Sequence, residues 1–218
     1  EMNTNKKDLY IIDLLKKSIA TGNPCLDLSY ERLGDAGILL LSRMYDLSHL
    51  TQLNLSWNEL TSKGVVALAQ CGSLTNLTVL TLDANKIGDD GLHAIAESKA
   101  LSSLQVLTLT KNNIGDSGAL ALIKSTKLSQ LSILDLELND IGQERLTKFP
   151  DGTANASLSR LNLRRNKIGD DTIIDWLQTG AFVPVKKLNL GWNKINDKGM
   201  VALAKSPMLS GVEELILD

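Results

Sequence analysis

Leucines recur along this chain as Leu-x-Leu pairs starting at Leu26, Leu53, Leu80, Leu107, Leu134, Leu161, Leu188 and Leu215, each start 27 residues after the one before. No insertion or deletion breaks the interval. Such a period marks a repeat architecture, because one unit cannot bury its own apolar edge and neighbours must stack to share a core. In the unit LTVLTLDANKIGDDGLHAIAES, the alternation in LTVLTL sends Leu77, Leu80 and Leu82 to one side. That alternation predicts a strand of about three to five residues, with neighbouring units pairing as a parallel sheet. Three residues after the second leucine stands Asn58, Asn85, Asn112, Asn139, Asn166 or Asn193, with Glu31 in the first unit, and two residues later comes Leu or Ile. An amide there can donate to and accept from loop backbone that would otherwise be unpaired inside the stack, so the asparagines read as a structural ladder.

Beyond the Leu or Ile, Asp35, Ser62, Asp89, Asp116, Asp170 and Asp197 share one register. All are good N-cap types, so each unit is expected to start a helix there, capped by its own Asp or Ser. Gly37, Gly64, Gly91, Gly118 and Gly199 follow two residues on, and Leu41, Leu68, Ile95, Leu122 and Leu203, then Leu47, Leu74, Leu101, Leu128, Phe182 and Leu209, supply an inward face. Asp8, Leu14 and Ala20 lie one period before Asp35, Leu41 and Leu47. Residues 1–23 are therefore expected to hold a helical partial repeat or cap over 7–21, and residues 24–218 the repeat domain. The last strand, VEELIL, is followed only by Asp218, which predicts that the chain is cut from a longer protein. One unit departs from the rest. After Ile141, Gln143 and Arg145 replace the Asp and Gly, and Pro150 and Gly152 fall where a helix should continue, which predicts a short or broken helix.

The compound motif LxxLxLxxNxI, followed by GDxG, resembles leucine-rich repeat proteins, and among them the ribonuclease-inhibitor-like subclass, over residues 24–218. The resemblance implies an α/β horseshoe solenoid of about eight repeats, with a parallel sheet on the concave face and helices on the convex one. It also implies a protein-binding module without enzymatic activity or cofactor. Proteins similar to this subclass include intracellular inhibitors, innate-immune sensor domains and effectors that bacterial pathogens inject into host cells. The Asn, Lys and Ser content and the absence of flanking cysteine caps favour an effector acting on a host protein in the cytosol. Some members activate small GTPases, which gives the alternative, regulatory reading.

Composition narrows the rest. With 43% hydrophobic and 22% charged residues the chain is globular rather than disordered. The net charge of −2 argues against a protein that coats nucleic acid. Cys25 and Cys71 form no metal or disulfide motif, which fits a reducing compartment. No apolar run reaches the roughly 18 residues of a membrane span, and the N-terminus lacks a signal-peptide cleavage site, so a soluble chain is expected. His49 and His93 fall in different registers, and no HExxH, GxSxG, P-loop or GxGxxG occurs.

Recognition should use positions the core does not claim. Tyr30, Trp57 and Trp192 share one exposed register although aromatics make up only 4% of the chain, and Trp, Tyr and Arg are the commonest interface anchors. Lys111, Leu138 and Arg165 occupy the same register; Asp83, Glu137 and Arg164 precede it by one residue, and Asp135, Arg160 and Lys187 lie on the strands. Together these twelve residues are the candidate partner-binding set. Arg160, Arg164, Arg165, Lys186 and Lys187 predict a basic patch beside the acidic strip of Asp135 and Glu137, with Arg165 next to Trp192. The competing expectation is that Glu137 and Arg164 simply neutralise one another.

Overall fold

Strand and helix alternate with the 27-residue period in every described unit except the one after β5 (Ile133–Asp135), part of which lies outside the described residues. The structure, a computed structural model, describes residues 6–143, 155–178 and 185–217. A first helix, α1 (Lys6–Ile19), precedes β1 (Cys25–Asp27), α2 (Gly34–Met44), β2 (Gln52–Asn54), α3 (Ser62–Ala69), β3 (Val79–Thr81), α4 (Gly88–Ala96), β4 (Val106–Thr108) and α5 (Asp116–Ile123). Then come β5 (Ile133–Asp135), β6 (Arg160–Asn162), α6 (Asp170–Gln178), β7 (Lys187–Asn189), α7 (Asp197–Lys205) and β8 (Glu214–Ile216). The eight strands form one parallel sheet in chain order, and every pairing is offset by one repeat, as in Leu53↔Leu80 and Leu134↔Leu161. The paired leucines from Leu26 to Leu188 point into one continuous core with the helices' inward residues, while Leu215 on the last strand is exposed. The unusual unit's region, 144–154, lies outside the described residues, as does Phe182.

Two ladders of side chains stitch the repeats. The buried Asn85 accepts from the backbone N–H groups of Asn58 and Leu60 in the previous unit, both at 3.0 Å. It donates to the carbonyls of Leu55 and Leu82. Asn139 repeats the pattern on Asn112, Ile114, Leu109 and Leu136. These bonds satisfy loop backbone that has no strand or helix partner.

The second ladder corrects the expected capping. The helices start where the sequence places them, to within a residue, but Asp35, Asp89 and Asp170 serve the start of the next unit's helix rather than their own. Asp35 Oδ1 accepts from the N–H groups of Thr61 (2.9 Å) and Gly64 (3.0 Å) at the start of α3. Asp89 likewise accepts from Gly115, Asp116 from Gly142, and Asp170 from Asn196 and Gly199. The reason is steric: a Cβ on Gly118 would lie 2.6 Å from Asp89 Oδ1 and 2.9 Å from Asp89 Cα, so only glycine lets the preceding repeat approach so closely. A carboxylate at a helix N-terminus is favoured by both the free N–H groups and the dipole.

Candidate functional site

Three residues past each of the first seven strands stands a residue with left-handed backbone. Tyr30, Trp57, Ala84, Lys111, Leu138, Arg165 and Trp192 all have φ between 54° and 64°, in seven consecutive units and with no glycine among them. That conformation costs an L-residue about 1–2 kcal/mol. It persists because the sheet ladder continues through it: the N–H groups of Tyr30, Trp57, Lys111 and Arg165 donate to Ser56, Asp83, Glu137 and Gly191 carbonyls at 2.9–3.0 Å. The result is a rigid rim along one edge of the sheet. Trp192→Gly should therefore melt at or above the temperature of Trp192→Ala, inverting the usual order, because glycine alone relieves the left-handed strain. Paired thermal melts check this.

Two aromatic and cationic clusters stand on the rim. Toward the N-terminus, Tyr30 (68% exposed) stacks on Trp57 (46% exposed) with centroids 5.5 Å apart and planes at 11°. Lys111 Nζ lies 5.1 Å from the Trp57 centroid, reaching past Ala84, whose small side chain occupies the intervening rim position. Toward the C-terminus, Arg164 and Arg165 hold their guanidinium carbons 5.7 and 5.4 Å from the Trp192 centroid, with Trp192 60% exposed. Cation–π contacts at such exposed sites contribute roughly 0.5–1 kcal/mol each.

The C-terminal basic patch is largely matched by carboxylates of the chain itself. Arg164 Nη1 lies 3.1 Å and Arg165 Nε 4.0 Å from Glu137 Oε1. Lys186 pairs with Glu213 at 3.1 Å and Lys187 with Glu214 at 2.7 Å, and the Lys187 hydrogen bond holds the Glu214 carboxyl below its ordinary range. Arg160, Asp135, Lys187 and Glu214 line a hollow of about 270 Å³ on the sheet face, where Asp135 accepts from the Asn162 amide at 3.0 Å.

Asp83, next to Ala84 in the third unit and so within the span of the first cluster, is half-buried. Burial, reinforced by the charge of Asp135, raises its pKa despite the hydrogen bond it accepts from Thr110 N–H at 2.9 Å. A raised folded-state pKa means a contribution to stability that is present below the ordinary aspartate range and lost as pH rises through the folded value. Asp83→Asn, which keeps an acceptor for Thr110, should thus melt higher than the native chain at pH 7, with the gain vanishing near pH 3. Melting temperatures of both across that range test it.

Of the twelve candidate residues, Tyr30, Trp57 and Lys111 form one group. Glu137, Arg164, Arg165 and Trp192 form another, with Asp135, Arg160 and Lys187 beside it on the strands; Asp83 lies within the span of the first group, and the exposed Leu138 stands on the rim between Lys111 and Arg165. Sequence reasoning missed Arg32, Glu59, Lys86 and Asn113, which line a groove of about 490 Å³ with Tyr30, Trp57 and Lys111. They share one register two residues past the rim, so the same period could have found them. The third tryptophan, Trp176, is buried at 1% exposure, in the register of Leu122 and Leu203. His93 pairs with Ser117 at 2.9 Å, away from both clusters. Among the described residues, no group of three His, Cys, Asp or Glu side chains is arranged to hold a metal ion, and no helix is long and apolar enough to cross a membrane.

An open stack of strand–loop–helix units with a shared core and a rigid rim is a repeat solenoid, the class whose extended faces serve macromolecular recognition. The family model for leucine-rich repeats matches residues 46–69, 73–96, 100–122, 154–172 and 184–204, just over half of the chain. The chain belongs to the leucine-rich repeat family. No curated protein matches it.

Proposed function

We propose that the rim and the concave sheet face bind a protein partner, with Tyr30, Trp57, Arg164, Arg165 and Trp192 as the leading contacts and no catalytic step. One observation carries this reading: two exposed aromatic–cation clusters stand at separated points of a single backbone-locked rim. Trp57 and Trp192 are five repeats apart, roughly 24 Å at the spacing of neighbouring strands, so a partner touching both is protein-sized. A preformed surface binds without the ordering cost of a flexible one. The finer form of the reading, a secreted effector acting on a host protein in the cytosol, is supported by the Asn, Lys and Ser content and the absence of flanking cysteine caps, within the ribonuclease-inhibitor-like subclass that the GDxG units resemble.

Capture of a partner from cell extract by the native chain, compared with a Trp57→Ala/Trp192→Ala variant, tests the reading. The partner should be lost by at least about a hundredfold in affinity, in line with truncating two interface anchors, while the melting temperature shifts by only a few degrees. Undiminished capture by the double variant would refute it.

A further inference from the structure

We infer that the groove beside the Tyr30–Trp57 stack takes an extended acidic segment of a polypeptide carrying an apolar or aromatic side chain. This names the chemistry of the partner and rests on the reading of the rim as a binding surface. The observation behind it is an imbalance between the two ends of the rim. Around Trp192 most cations already have carboxylates: Arg164 and Arg165 meet Glu137, Lys186 meets Glu213, and Lys187 meets Glu214, with Arg160 and Lys194 outside these pairs. Lys167 and Asp140, in the same register as the groove residues, are also paired. Around Trp57 three cations share the groove with a single carboxylate, Glu59, and none of them is paired with it. Arg32, Lys86 and Lys111 line the groove with the aromatic pair, and none of the three forms an ion pair among the described residues. Arg32, Lys86 and Lys111 are exposed, so they remain hydrated until a partner arrives, and negative charge there gains attraction without first displacing an internal partner.

The remaining groups favour a peptide over a nucleic acid. Trp57 is flanked by Tyr30 from the preceding repeat and by Lys111 from two repeats on, which leaves less of its ring free for the base stacking that single strands use. Glu59 lies in the same groove and repels a continuous phosphate backbone, whereas a polypeptide can present an N–H or a neutral side chain to it. Asn113, also exposed, offers an amide that both donates and accepts, as an extended main chain requires. The outer edge of the stacked rings supplies the apolar contact.

Selection from a randomised peptide display library on the native chain, followed by fluorescence anisotropy of the synthesised winners, tests the inference. Winners should carry net negative charge together with an apolar or aromatic residue. Their affinity should fall about tenfold or more with Lys111→Glu, Lys86→Glu and Trp57→Ala, each checked for an unchanged melt, and by no more than about twofold with Trp192→Ala. It should also weaken as salt rises. Neutral or basic winners, acidic winners indifferent to Lys111→Glu, or tighter binding of a labelled thymidine homopolymer through the same residues would overturn it. Basic winners combined with loss of the captured partner in the double tryptophan variant would remove the acidic-segment inference and leave the interaction surface standing.

Discussion

Asn85→Ala should lower the stability of the chain by on the order of 4 kcal/mol, far more than an ordinary polar-to-alanine change. The buried amide accepts two backbone N–H groups at 3.0 Å and donates to carbonyls of its own and the preceding repeat. Alanine supplies neither function, and each buried group left without a partner costs roughly 1–3 kcal/mol. The damage is not confined to one loop. A solenoid is held by nearest-neighbour interfaces, and Asn85 bridges the units of β2 and β3, so the native contacts on either side lose their coupling. Aspartate at this position keeps the acceptor but not the donor, and should be nearly as harmful. Urea unfolding followed by circular dichroism measures the effect; a loss under about 1 kcal/mol would show that the ladder is not what closes the stack.

The three tryptophans should respond in opposite ways. Trp176 takes the inward place that Leu68, Ile95, Leu122 and Leu203 hold in other units, and all five are buried. Trp176→Ala removes a large core side chain and should cost about 3–5 kcal/mol. Trp57→Ala and Trp192→Ala remove side chains whose packing is with exposed neighbours, Tyr30 and Lys111 in one case and Arg164 and Arg165 in the other. Each should cost under about 1.5 kcal/mol. The emission of the native chain should accordingly combine one shielded and two quencher-accessible indoles. Acrylamide quenching together with thermal melts of the three single variants separates the roles. Similar destabilisation by all three would place the rim tryptophans in the core's service.

Sequence alone carried the fold a long way, because a period of 27 residues fixes which side chains stack on which once one unit is understood. Leu80 must meet Leu53 and Leu107, and it does. Two features escaped because they lie between units rather than within one. An Asp just after a loop looks like a cap for the helix it opens, and nothing local says that its carboxylate turns to the following repeat. The signal was there in the glycine two residues further on, whose missing Cβ makes sense only if a neighbour occupies that space, as Asp35 does at Gly64. The rim was legible as a register, but its left-handed backbone was not, since Tyr, Trp, Lys, Leu and Arg are not residues that favour that conformation. Charge was harder still. Arg164, Arg165, Lys186 and Lys187 read as a basic patch when counted along the chain, whereas Glu137, Glu213 and Glu214 sit beside them in space. The unmatched cations of the groove, Arg32, Lys86 and Lys111, are spread over four repeats and form no run in the sequence.

The claim that recognition belongs to the rim and the inner sheet, while the helices and the asparagine ladder carry stability, is tested most directly by amide hydrogen exchange on the chain with its captured partner bound. Slowed exchange should appear in 27–32, 54–59, 108–113, 162–166 and 189–193, with α3, α4 and α5 unchanged from the free protein. Protection confined to those helices, with the rim segments exchanging as they do alone, would contradict it.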